Sequence, residues 1–195
     1  NAAISACEKG KRPESALQLL NMMWQHGLTP NLVTYNAAIS ACEKGRQPEW
    51  ALQLLKIMLE RGVEPDLITY SSAISACETY MPESALHLFE EMRRRGLAPD
   101  MIVYSVVMRA SERCRRPEMV LELMQEMQDL RLAVDVIVYN TVVSACEQSS
   151  RHKRAVALLE DMQHRGLTPN TATYSSAIGA CERGQEPERV MALLE

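Results

Sequence analysis

The stretch Val33-Thr34-Tyr35-Asn36-Ala37-Ala38-Ile39-Ser40-Ala41-Cys42-Glu43-Lys44, followed by Gly45-Arg46-Gln47-Pro48-Glu49, decides the fold. From Thr34 to about Lys44 the residues are small and apolar, which predicts a helix. Its polar residues Asn36, Ser40, Glu43 and Lys44 stand at i, i+4, i+7 and i+8, on one side. Gly45-Arg46-Gln47 breaks that helix, and Pro48 opens a second where a missing N–H costs nothing. Glu49 follows in the first turn, where the helix dipole favours an anion. Ala51, Leu52, Leu55, Met58 and Leu59 keep the spacing of a buried face, Gly62 supplies a left-handed end, and Pro65 blocks continuation. The second helix has a broad charged face, as with Glu90, Arg93 and Arg94 in a later copy, and belongs outside. The first is apolar nearly all round; wedged between neighbours, it turns its polar strip into a groove.

The same pattern recurs along the chain. Tyrosines stand at Tyr35, Tyr70, Tyr104, Tyr139 and Tyr174, at steps of 35, 34, 35 and 35 residues. Leu19, Leu54, Leu88, Leu123, Leu158 and Leu193 keep that register, as do Gly27, Gly62, Gly96 and Gly166. Such a period predicts an all-α solenoid of helix-turn-helix repeats. The units are 32–66, 67–100, 101–135 and 136–170, with partial copies at 1–31 and 171–195. The shorter copy has lost a residue between Cys77 and Pro82, in a turn. Because the sequence begins within a first helix and stops at Glu195 within a second, it is expected to be a segment of a longer array that frays at both ends.

Composition narrows the function. A net charge of -4 argues against a generic polybasic nucleic-acid binder. No apolar run approaches the ~18 residues of a membrane span, and Asn1 to Gly10 carry no targeting leader, so a targeting segment is expected outside this sequence. Cys7, Cys42, Cys77, Cys146 and Cys181 are in register, on helices expected ~8 to 10 Å apart, too far for disulfides. They read as core thiols, and Cys114 falls in a turn. No C-x-x-C occurs, and His26, His87, His152 and His164 are scattered, so neither zinc nor any other cofactor is expected. Nucleophile-elbow, phosphate-loop and HExxH motifs are missing, and Asp66, Asp100 and Asp135 are a repeat apart, too spread for a two-metal centre. The expectation is a non-enzyme.

A tetratricopeptide repeat would need Trp, Leu-Gly and Tyr at set positions; Trp24 and Trp50 occupy unrelated ones. Instead Val33-Thr34-Tyr35-Asn36, Ala51-Leu52, Leu54-Leu55, Met58, Arg61-Gly62-Val63 and Pro65-Asp66 resemble the pentatricopeptide repeat (PPR), over the whole chain. The resemblance is to an array of about 35-residue repeats. It implies a right-handed superhelix that binds single-stranded RNA, with about one base read per repeat by two or three side chains. It further implies a mitochondrial or chloroplast setting, in RNA processing, stability or translation, with other proteins of an organellar RNA-processing complex as further partners and no membrane.

The family's reading heads are the residue after the Tyr and the last residue of the unit. By resemblance the pairs are Asn1 with Asn31, Asn36 with Asp66, Ser71 with Asp100, Ser105 with Asp135, and Asn140 with Asn170, while Ser175 stands alone. The implied bases are C, U, G, G, C and a purine. Asn can donate and accept, Asp accepts only, and Ser leaves room for a purine. The family clamps each base with the residue two before the Tyr, here Val33, Ile68, Ile102, Ile137 and Ala172. Without the resemblance these aliphatics read equally as core between repeats. Phosphate contacts are implied eight positions after the head, at Lys9, Lys44, Arg113 and Arg183, with Thr79 and Gln148 in the other units. Against them stands a Glu row, Glu8, Glu43, Glu78, Glu112, Glu147 and Glu182, which would weaken an RNA groove unless paired with neighbouring cations. Two alternatives remain: a solenoid whose groove takes an extended peptide, and a spacer presenting an effector domain.

Overall fold

The computed structural model of the chain describes residues 2–185. Eleven helices run in order: α1 Ala2–Lys9, α2 Pro13–Gln25, α3 Leu32–Lys44, α4 Pro48–Glu60, α5 Leu67–Cys77, α6 Pro82–Arg94, α7 Met101–Arg113, α8 Pro117–Asp129, α9 Val136–Gln148, α10 His152–His164 and α11 Thr171–Arg183. No strand is present among the described residues. They form two compact units, the first ending at Val107 and the second starting at Met108, within α7.

In the first unit α1, α3 and α5 pack side by side, and α2, α4 and α6 each pack on the helix before them. Ala38, Ala41, Ala73 and Ala76 are buried between the inner helices, where small side chains permit close approach, and Leu20, Leu54, Met58, Phe89 and Met92 fill the layer between inner and outer helices. The second unit repeats the arrangement with α9 and α11 inside and α8 and α10 outside. Val142, Val143, Ala177 and Ala180 are buried on its inner helices, with Met124, Met127, Leu159 and Met162 on its outer ones.

Capping chemistry sets the helix ends. α2, α4, α6 and α8 open with Pro at the first position and Glu at the second, as the sequence predicts; α10 opens with His152. The inner helix α3 starts at Leu32, two residues before the expected Thr34, because Asn31 caps it. Outer helix α4 ends at a left-handed Gly62 (φ 71), where Val63 N–H reaches back to Met58 O at 3.0 Å. The inner helix α3 ends differently: Arg46 takes the left-handed conformation (φ 55), and Gly45 is right-handed. Gly45 is needed for space instead, since a Cβ there would come within 2.6 Å of the Pro13 ring. α5 stops at Cys77, giving 11 residues where its neighbours have 13, beside the shortened turn.

Two register tyrosines, Tyr70 and Tyr139, tie inner to outer helices. Tyr70 OH donates to Glu91 Oε1 at 2.9 Å, and Arg95 pairs with the same carboxylate at 3.1 Å. In the second unit Tyr139 OH donates to Asp161, which Arg165 holds at 3.1 Å. Burial, reinforced by the bond to Asp161, pushes the Tyr139 hydroxyl up to about 12. Tyr35 has the same burial but, among the described residues, no partner for its hydroxyl, because Ile57 stands where the carboxylate would be.

Candidate nucleic-acid interface

Each of the inner helices α3, α5, α7, α9 and α11 opens Asx-aliphatic-aliphatic-(Thr/Val)-Tyr or a close variant, and the helical period separates these residues sharply. Tyr35, Tyr70, Tyr104 and Tyr139 are fully buried at 0% exposure. Two residues earlier Val33, Ile68, Ile102 and Ile137 are 53–60% exposed, at 58%, 60%, 57% and 53%. These aliphatics are therefore not core. Ala172 is exposed as well. In the second unit Ile137 and Ala172 line a cavity of about 260 Å³ together with Glu112, Asn140, Thr141, Ser144 and Ser176.

Asn31, Asp66, Asp135 and Asn170 are helix N-caps, and Asp100 likewise accepts from Val103 N–H at 2.9 Å. Their polarity thus has a structural cause that reading the chain for heads missed, although Asx followed three residues later by Thr was visible at Asn31, Asp66 and Asn170. In the 32–66 unit the two expected heads meet: Asn36 Nδ2 donates to Asp66 Oδ1 at 3.1 Å. Burial raises the Asp66 pKa, but hydrogen bonds from the Thr69 N–H and hydroxyl and from Asn36 outweigh it and leave it lowered. Asn140 and Asn170 are bridged by Thr173, whose Oγ1 lies 2.5 Å from Asn140 Oδ1 and 3.1 Å from Asn170 Oδ1. Ser71 is half-buried and makes no hydrogen bond to Asp100 among the described residues. Ser105 donates to Met101 O at 2.9 Å, Asp135 accepts from Val138 N–H at 2.9 Å, and Ser175 is exposed. Asn1 lies outside the described residues.

The Glu row and the basic ladder interlock. Glu8 accepts from Lys44 Nζ at 2.7 Å and from Ser40 Oγ at 3.1 Å, and the Lys44 bond chiefly holds its carboxyl below the usual range. Glu147 accepts from Arg183 at 3.0 Å, and Glu112 from Ser144 Oγ at 2.5 Å. Burial raises the Glu43 carboxyl against a hydrogen bond from Ser72. Glu78 is half-buried and Glu182 exposed. Lys9 and Arg113, like Thr79 and Gln148, are exposed. A further cation was missed because it sits in a left-handed turn: Arg115 (φ 53) shares with Gln148 and Arg183 a cavity of about 370 Å³.

All six cysteines are free thiols. Burial pushes Cys42 and Cys77 up to about 12 and Cys146 to about 11, which makes them poor nucleophiles and ligands. Among the described residues no cluster of His, Cys, Asp and Glu is placed to hold a metal, and no helix is long and apolar enough to cross a membrane.

Comparison with known proteins agrees with this architecture. No curated protein sequence matches the chain. Among solved structures, the pentatricopeptide repeat protein PPR10 from maize is 28% identical over 98% of the chain, with a TM-score of 0.67. PPR10 in complex with an 18-nt psaJ RNA element superimposes with a TM-score of 0.68 at 22% identity over 97% of the chain. In both cases the chain spans 28% of the length of PPR10. The PPR domain of Arabidopsis thaliana protein-only RNase P 1, in complex with tRNA, gives a TM-score of 0.70 at 14% identity, covering 80% of this chain and 83% of that one. Sequence models of the PPR repeat family match residues 1–44, 30–79 and 134–183, and those of the PPR repeat match 68–97 and 102–132. With these matches over most of its length, the chain belongs to the pentatricopeptide repeat family.

Proposed function

We propose that the chain binds single-stranded RNA in a sequence-dependent way, about one base per repeat. The observation that carries this reading is the row of exposed aliphatics, Val33, Ile68, Ile102 and Ile137, each adjoining a buried Thr or Val and Tyr. Repeating β-branched side chains held open to solvent at one position per unit have no packing role, and they suit the faces of unstacked bases. Duplex bases are already stacked and offer no such faces. The units 32–66, 67–100, 101–135 and 136–170, with the partial units 1–31 and 171–195, are the reading modules, and the polar heads beside each clamp supply base choice. That PPR10 is solved in complex with an 18-nt RNA element supports RNA as the ligand. The ion pairs of Glu8 and Glu147 neutralise part of the acidic row and at the same time engage Lys44 and Arg183.

The expected 5′ to 3′ preference is C-U-G-G-C followed by a purine. Family membership supports a role in mitochondrial or chloroplast RNA processing, stability or translation, as a non-catalytic binder alongside other proteins. The test is binding of the 195-residue chain to a short RNA containing CUGGC, to its duplex and to a scrambled single strand. The CUGGC strand should bind at least tenfold tighter than either, the order expected for base-edge discrimination of ~1 to 3 kcal/mol. Equal binding of all three, or capture of basic peptides in preference to RNA, would refute the reading.

A further inference from the structure

Two threonines act on the Asn heads. Thr69 Oγ1 lies 2.5 Å from Asn36 Oδ1, and Thr173 Oγ1 lies 2.5 Å from Asn140 Oδ1. Each Thr oxygen already accepts a backbone N–H, from Asp66 at 3.1 Å and from Asn170 at 3.0 Å. Its one hydrogen goes to the nearer acceptor, the Asn head at 2.5 Å rather than Asp66 at 2.9 Å or Asn170 at 3.1 Å, so each contact turns the Asn carbonyl toward Thr and its NH2 away. In the 32–66 unit this orientation is held twice, because Asp66 Oδ1 also accepts from Asn36 Nδ2 at 3.1 Å, and there the Asp66 carboxylate, not the amide, is the acceptor left for uracil N3–H. The 136–170 unit differs. Its last residue is Asn170, whose Oδ1 accepts from Thr173 N–H at 3.1 Å, and no hydrogen bond joins it to Asn140 among the described residues. Among the described residues Thr173 alone orients the Asn140 amide.

The sequence carries the same association. Asn36 and Asn140 are followed in the next unit by Thr69 and Thr173, whereas Ser71 and Ser105 are followed by Val103 and Val138. A Ser head has no amide to orient, so a hydroxyl at that place would gain nothing.

We propose that Thr173 is a positioning residue for base choice: by holding the Asn140 carbonyl it makes Asn140 a donor toward the cavity between Ile137 and Ala172, selecting cytosine over uracil. Cytosine offers an acceptor at N3, while uracil offers an N–H there that would face the amide hydrogens. With the hydroxyl removed the amide turns over, its oxygen accepts from uracil N3–H, and the two bases bind alike. This inference rests on the single-stranded RNA reading.

The experiment measures affinity for CUGGC-type RNAs with C or U at the fifth base, for wild type, Thr173→Val, Thr173→Ser and Thr69→Val. Thr173→Val should reduce the C-to-U ratio at the fifth base on the order of tenfold, and Thr173→Ser should keep it. Thr69→Val should move the second-base preference less, since Asp66 still holds Asn36. Thr173 also belongs to the capping box of α11, so helix content is recorded with each variant. Should the Val variant lose that helix, Asn140→Asp tests the same premise, because a carboxylate only accepts and should favour uracil. Equal weakening for both bases by Thr173→Val, a Ser variant that behaves as Val, or an Asn140→Asp chain that still prefers cytosine overturns the proposal. Wild-type chain that binds no single-stranded RNA defeats the underlying reading instead.

Discussion

Asn36 and Asp66, 30 residues apart, meet through a 3.1 Å hydrogen bond from Asn36 Nδ2 to Asp66 Oδ1, and the same oxygen caps α5 through Thr69 N–H at 2.9 Å. One carboxylate therefore caps a helix and holds the Asn36 amide. The two roles separate by substitution.

Asp66→Asn keeps a good N-cap and should leave stability within a few tenths of a kcal/mol, whereas Asp66→Ala should cost about 1 kcal/mol. The Asn variant, now matching the Asn140 and Asn170 unit, should shift the second base from U to C. Its pH dependence has a definite sign. The folded Asp66 pKa is lowered, so its stabilisation is present above the unfolded value of about 3.9 and is lost as pH falls through the folded value. Urea melts should show wild type losing stability relative to Asp66→Asn below about pH 4.

Ile68 is 60% exposed, so Ile68→Ala should change stability by no more than about 0.5 kcal/mol. RNA affinity should fall clearly in the same variant. Parallel urea melts and RNA titrations check the split; a loss of 2 kcal/mol or more would be the cost of a core residue.

Glu8 neutralises Lys44 at 2.7 Å. Glu8→Gln should free that cation, raising RNA affinity at low salt and steepening the log–log salt slope by about 0.7, the value for one added phosphate contact. The pair is partly exposed, and its loss should cost at most about 1 kcal/mol of stability. An unchanged slope from 50 to 200 mM salt would remove Lys44 from the phosphate path.

Tyr70→Phe breaks the bond to Glu91 and should destabilise by about 1 to 2 kcal/mol. Tyr35→Phe removes a buried hydroxyl that has no partner, and should be neutral or stabilising. Conversely Ile57→Glu should supply the missing carboxylate and raise the melting temperature in the Tyr35 background only.

Much of this was legible in the chain. Tyr35, Tyr70 and the Pro48-Glu49 start fixed register and helix pairing because period and capping are local properties of the residues. The clamp position was ambiguous, since Ile68 in a helix start reads as core until the neighbours of that face are known. The capping role of Asp66 was written locally, in the Thr three residues on, but a residue that also suits a reading head does not announce it. The oriented amide of Asn36 depends on a contact 30 residues away, which no local window contains. Gly45 shows the same limit: its left-handed neighbour Arg46 carries the turn, and only the Pro13 ring beside it explains why the residue is small.

The central claim, that polar heads beside exposed clamps read single-stranded RNA, is tested most directly by selection from a randomised single-stranded RNA pool with wild type and Asn36→Ser side by side. Removing the amide deletes the donor to Asp66 and opens room for a purine, while Asp66 can still accept from guanine N1 and N2 hydrogens. Wild type should enrich C-U-G-G-C and the variant C-G-G-G-C, with discrimination at the second base of roughly 1 to 3 kcal/mol. No enriched sequence at low salt, or a folded variant that retains U at the second base, would contradict the account.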